Sequence, residues 1–146
     1  MIKHLMAAMV VGGITVLASL AAQAKQPAQV MAGDPAGRNV VFSFDQGGVR
    51  IETHLAGNPG AKLSIWTDHS SSRLFSRILT TDDCKYGGDG ARCRFMFDGT
   101  SSAYRRFVIA FKRGKTAHIE VKNAAVMQMS DDISLIGFAR KLGLRS

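Results

Sequence analysis

The sequence predicts a mostly β domain, a small antiparallel β-sandwich or barrel carrying one or two short helices. Three observations lead there. Short runs rich in β-branched and aromatic residues recur between residues 40 and 121. Turns bearing glycine or proline separate them, and only two segments show an apolar period near that of a helix.

Taken in order, Val40–Asp45 is β-rich, and Gln46-Gly47-Gly48 turns it into Val49–Leu55. In that second strand Val49, Ile51, Thr53 and Leu55 share one face, while Arg50, Glu52 and His54 share the other. Gly57-Asn58-Pro59-Gly60 marks the next turn, Lys62–Thr67 the next strand, and Asp68–Ser72 a polar bend. Arg73–Thr81 reads as a strand running into the first cysteine. Beyond the second cysteine, Cys93, Phe95 and Phe97 alternate with Arg92, Arg94 and Met96, the pattern of a half-buried strand with an arginine-bearing outer face. Thr116–Lys122 is a further strand.

Ser102–Arg113 is expected to be helical. Tyr104, Phe107, Val108 and Phe111 fall on one stripe, Ser101 or Ser102 suits the N-cap, and Lys112, Arg113 and Gly114 suit the C-terminal end. A strand stays open, because Phe107, Ile109 and Phe111 also alternate. A last helix is expected with Ser130 as cap, Asp131 and Asp132 in its first turn, Ile133, Leu135, Ile136, Phe138, Ala139 and Leu142 as its apolar stripe, and Gly143 as terminator.

At the N-terminus Lys3 and His4 precede an uncharged run, Leu5–Ala22, which closes on Ala22-Gln23-Ala24. This is the layout of a cleaved signal peptide over residues 1–24, with residues 25–38 as a flexible arm and 39–146 as a single β-rich domain. The expected destination is periplasmic or secreted, with no transmembrane segment after cleavage. Export would place Cys84 and Cys93 where disulfides persist, and with only two cysteines the pairing is forced. The glycine-rich loop between them can turn sharply enough to bring the sulfurs together.

The chain carries a net charge of +8, and losing Lys3 with the leader leaves +7. Such a surface favours anionic partners. Arg92, Arg94, Arg105, Arg106, Lys112, Arg113 and Lys115 are the candidate binding residues, rimming one surface if helix and strand pack by their apolar faces. Catalysis is not expected. Asp68-His69-Ser70 are adjacent on an extended segment and so diverge, and no Gly-x-Ser-x-Gly elbow occurs. His54 with Glu52, and His118 with Glu120, would form a metal site only on neighbouring strands in register, and Met96, Met127 and Met129 are more simply core methionines than copper ligands. No cofactor or metal and no specific nucleic acid is expected; Phe95 and Phe97 fall on the face due for burial.

The order of features in the C-terminal half resembles the invasion-associated locus B family of exported proteobacterial proteins. The residues concerned are the cysteine pair before an arginine-bearing strand, Phe111-Lys112-Arg113-Gly114-Lys115, then Ala117–Val121, then Ile133-Ser134-Leu135-Ile136-Gly137-Phe138-Ala139. The resemblance spans roughly Cys84–Leu142. It implies an exported β-sandwich without known catalysis, linked in some members to host-cell association. The leading expectation is therefore an envelope or surface interaction protein that meets an envelope or host protein, or an anionic glycan or lipid surface, through its basic side. The alternative is a small periplasmic hydrolase inhibitor that displays the loop Asp82–Cys93.

Overall fold

The computed structural model describes residues 27–143 apart from 58, 71, 72 and 125, so the leader expected over residues 1–24 lies outside the described residues. Among the described residues nine strands, β1 (Ala28–Gly33), β2 (Asn39–Asp45), β3 (Gly48–Leu55), β4 (Lys62–Thr67), β5 (Phe75–Ile78), β6 (Cys84–Gly87), β7 (Gly90–Asp98), β8 (Thr116–Asn123) and β9 (Val126–Ser134), form two antiparallel sheets. The first runs β1-β2-β3-β7-β6 and the second β5-β4-β8-β9. Neither closes on itself, which makes the domain a sandwich rather than a barrel.

Strand alternation supplies the core. Val40, Phe42 and Phe44 of β2 and Val49, Ile51 and Leu55 of β3 are fully buried or nearly so, as are Leu63 and Ile65 of β4 and Ile119 and Val121 of β8. Helix α1 (Ser102–Arg113) crosses from the end of β7 to the start of β8 and plugs that end of the sandwich. The helical period wins over the alternating one because Phe107, Ala110 and Phe111 are the buried positions while Ile109 is 46% exposed. The Ser101 hydroxyl caps it by accepting from the Tyr104 N–H at 3.1 Å. Gly114 ends it in an extended conformation, φ −75°. The reason for glycine there is space rather than a left-handed turn: a Cβ would meet the Ala110 carbonyl oxygen at 2.8 Å.

Three expectations need correction. Ala28–Gly33, within the segment expected to be a flexible arm, is strand β1, with Ala28, Val30 and Ala32 set against Phe44, Phe42 and Val40. Two of those inward side chains are alanines, which mask the alternation, and an edge strand needs only one neighbour to hold it. The last helix is shorter than expected. Asp131, Asp132 and Ile133 belong to β9, where Ile133 pairs with Ala117, and helix α2 (Phe138–Gly143) begins later, leaving Ile136 83% exposed. Asp131 spends its carboxylate across the sandwich instead of on a helix N-terminus, accepting from the Gly33 N–H at 2.6 Å and so tying β1 to β9. Finally, the strand expected over Arg73–Thr81 narrows to β5, and the loop beyond it gives rise to β6.

Carboxylates hold several turns, and two of them bear on pH. Asp68 accepts from the N–H groups of Lys115 and Thr116, and Asp98 from the N–H and hydroxyl of Thr100. Each set of donors holds its carboxyl below the usual value of 3.8. A depressed folded-state pKa means that the unfolded chain binds more protons, so the stabilisation is complete above 3.8 and disappears as pH falls through the folded values. Urea titrations from about pH 7 down to about pH 2 are expected to show stability falling below 3.8. The double variant Asp68→Asn, Asp98→Asn should be weaker at neutral pH and lose less on acidification.

Candidate functional site

The first sheet has a solvent face. Because Ala91, Cys93 and Phe95 point inward on β7, Arg92, Arg94 and Met96 point outward. Register then sets their neighbours. Arg92 lies between His54 of β3 and Lys85 of β6, and Arg94 lies opposite Glu52 of β3. Arg50 sits opposite Met96 and, at 2.7 Å from Nε to Oε1, beside Glu52. The two groups are not aligned for a hydrogen bond, so that contact is Coulombic.

These side chains line an open groove of about 500 Å³ whose walls include Val41, Glu52, His54, Lys85, Arg92 and Arg94. Its lining cations Lys85, Arg92 and Arg94 outnumber its acids Glu52 and Asp83, and the acids are engaged. Glu52 serves Arg50 and Asp89 serves Arg92 at 3.3 Å, while Asp83 at the margin is taken by Arg77 at 2.6 Å. Among the described residues no carboxylate lies within ion-pair distance of Lys85 or Arg94. The Arg92 hydrogen bond, with its charge behind it, holds the Asp89 carboxyl below the usual range. His54 Nε2 lies 3.0 Å from the Asp89 carbonyl oxygen, which ties the β6–β7 turn to β3.

The covalent clasp sits directly beneath. Cys84 and Cys93 face each other across β6 and β7 and form a disulfide, as the pairing argument required. Both are buried, and Cys93 is part of the groove lining, so the bond braces the groove floor. A disulfide points to an oxidising, non-cytoplasmic environment. No helix among the described residues is long and apolar enough to cross a membrane.

The seven cations expected on one surface are divided. Phe107 and Phe111 pack their rings on Phe97, Phe42 and Phe44, all inward-facing side chains of the first sheet. Helix α1 therefore lies on one side of that sheet, and Arg92 and Arg94 lie on the other. Arg105, Arg106, Lys112 and Arg113 travel with the helix, and Lys115 follows it. Apolar faces do pack together, but a strand's outer residues point away from whatever covers its inner ones. Lys85, in contrast, joins Arg92 and Arg94. It escaped the sequence reading because its segment was taken as a disulfide loop; the tyrosine and cysteine flanking it were the available strand signal.

The remaining constellations are separated too. His54 is on β3 and His118 on β8, in different sheets. Among the described residues no three of histidine, cysteine, aspartate and glutamate gather as metal ligands would. Met96 is 60% exposed on the first sheet and Met127 44% exposed on the second, so neither fills the core as methionines were expected to. Asp68 is engaged with the chain at Lys115 and Thr116. On the outer face of the second sheet, Trp66, His118 and Asp132 form a cross-strand row, with His118 Nδ1 2.6 Å from Asp132 Oδ1 and the Arg73 guanidinium 3.7 Å from the Trp66 ring centroid. Comparison with known proteins identifies no matching protein-family model, curated protein or solved structure.

Proposed function

We propose that this is an exported, non-enzymatic interaction protein of a bacterial envelope or surface, periplasmic or secreted, whose solvent-facing β3–β7–β6 surface binds an anionic or protein partner. The observation that carries the reading is the groove in which, among the described residues, Lys85 and Arg94 flank Arg92 with no carboxylate within ion-pair distance of either. Guanidinium forks on a rigid strand are suited to carboxylate, sulfate or phosphate groups, and a disulfide beneath them lowers the entropy lost on binding. The signal-like N-terminus and the resemblance to invasion-associated locus B proteins support export and a binding role. The inhibitor alternative gains less support. Gly87 pairs with Gly90, so the loop protrudes only as the two-residue turn Gly88-Asp89, a small body to insert into an enzyme cleft.

The test is a pair of charge reversals. The oxidised domain is presented to sulfated glycan, to vesicles rich in anionic lipid and to envelope extract, at about 0.05 M and about 0.5 M salt. Arg92→Glu with Arg94→Glu is expected to weaken capture by more than about tenfold at low salt, and high salt to weaken the unaltered protein similarly. Arg105→Glu with Lys112→Glu, on the far side of the sheet, should leave capture nearly unchanged. Undiminished capture by the Arg92/Arg94 variant, or equal loss in both variants, removes this reading.

A further inference from the structure

A second pocket lies on the opposite side of the molecule, between α1 and the connection from β4 to β5. It measures about 230 Å³, and its wall is mainly apolar: Leu74, Ile109 and Ala110 with the inward-facing Thr67. Arg73 and Arg106 are among its lining residues, and His69 adds a further polar group. Nothing in the groove on the first sheet reaches this place.

The two arginines are placed by different elements. Arg106 is one helical turn before Ile109 and Ala110, so its stem shares their stripe on α1. Arg73 lies over the Trp66 ring, 3.7 Å from its centroid, and Trp66 is itself stacked on His118 at 5.4 Å. Stacking occupies a face of the guanidinium plane and leaves its N–H donors, which lie in that plane, for another acceptor. Among the described residues neither Arg73 nor Arg106 has a carboxylate within ion-pair distance. Asp68, the nearest acid along the chain, is bound to the N–H groups of Lys115 and Thr116. Ile109, a large apolar side chain 46% exposed, lines the same opening.

We propose that this pocket binds a carboxylate borne on one compact apolar group, the group entering against Leu74, Ile109 and Ala110 and the carboxylate meeting Arg73 and Arg106. The volume is below the roughly 300 Å³ at which drug-sized ligands begin, so the apolar part is about the size of one amino-acid side chain. Two arginines beside a mainly apolar wall select a carboxylate over its neutral amide, because the amide leaves them without a charged acceptor. Small apolar acids and peptide chains ending in leucine share this chemistry.

The experiment follows backbone amide resonances of the oxidised domain during titration with N-acetyl-leucine, N-acetyl-leucinamide, and a short leucine-terminated peptide with a free or amidated C-terminus. The expected result is saturable shifts confined to Leu74, Ile109, Ala110 and their neighbours for the acids, with affinity at least about tenfold weaker for the amides. Arg106→Gln and Arg73→Gln should each weaken the acid by about tenfold, and Ile109→Trp should fill the pocket and abolish binding while the spectrum stays dispersed. Tighter binding of the free-ended peptide than of N-acetyl-leucine identifies a chain terminus as the ligand; equal binding identifies the small acid. Amides binding as well as acids, shifts scattered over the surface, no change in Arg106→Gln and Arg73→Gln, or no saturation below about 50 mM overturns the proposal. None of these outcomes depends on Arg92 or Arg94.

Discussion

Phe111→Ala is expected to cost about 3–5 kcal/mol, the range for truncating a fully buried aromatic residue. Phe111 is 0% exposed and lies at the junction of three elements. Its ring is 5.2 Å from those of Phe42 and Phe44, 5.7 Å from Phe138 and 6.1 Å from Phe107. Removing it leaves a cavity bounded by β2, α1 and α2, and rigid strands on one side cannot collapse far into it. Domains of this kind are stable by only about 5–15 kcal/mol, so the variant should unfold at a far lower urea midpoint, followed by Trp66 fluorescence. Ile109→Ala, on the same helix but half-exposed, is the control and should cost less than about 1 kcal/mol. A loss below about 1.5 kcal/mol at Phe111 would mean that α1 is not the plug of the sandwich.

Replacing both cysteines, Cys84→Ala with Cys93→Ala, is expected to cost about 2–3 kcal/mol, as judged from the entropy of a loop this short. The effect should also be local. Among the described residues β6 is an edge strand paired with β7 alone, and the disulfide is its covalent tie to that neighbour. The bidentate Arg77–Asp83 ion pair also holds its start, but it lies before the strand and does not bind β6 to β7. Amide exchange at Lys85, Tyr86 and Gly87 should therefore accelerate beyond the global loss, and Lys85 should drift from Arg92. Weaker capture of anionic ligands through the β3–β7–β6 surface is the accompanying result, and reductant should reproduce it. Exchange that rises uniformly, or not at all, would show that the clasp does not order this edge.

The class of the fold was legible because burial on one face of a sheet forces alternation, and Val49–Leu55, Cys93–Phe97 and Thr116–Lys122 all show it. The helix Ser102–Arg113 was legible because cap, stripe and terminal charges agreed. The cysteine pairing followed from the count of two. Local signals failed where a distant partner outbid them. Asp131 and Asp132 look like the first turn of a helix, but Gly33 and His118 engage them in β9. Ala28–Gly33 has too little apolar contrast to announce a strand until β2 lies beside it.

The candidate site divides along the same line. Residue types along the chain determined that the molecule is basic, that arginines occupy the outer face of one strand, and that a covalent link closes the hairpin beside it. Only the tertiary structure decided which cations stand together. It brought Lys85 to Arg92 by pairing β6 with β7, and it put Arg106 with Arg73 on the other side of a sheet. Periodicity tells which residues share a face of their own element; which faces then meet depends on packing between elements far apart in the chain, and that information is not local.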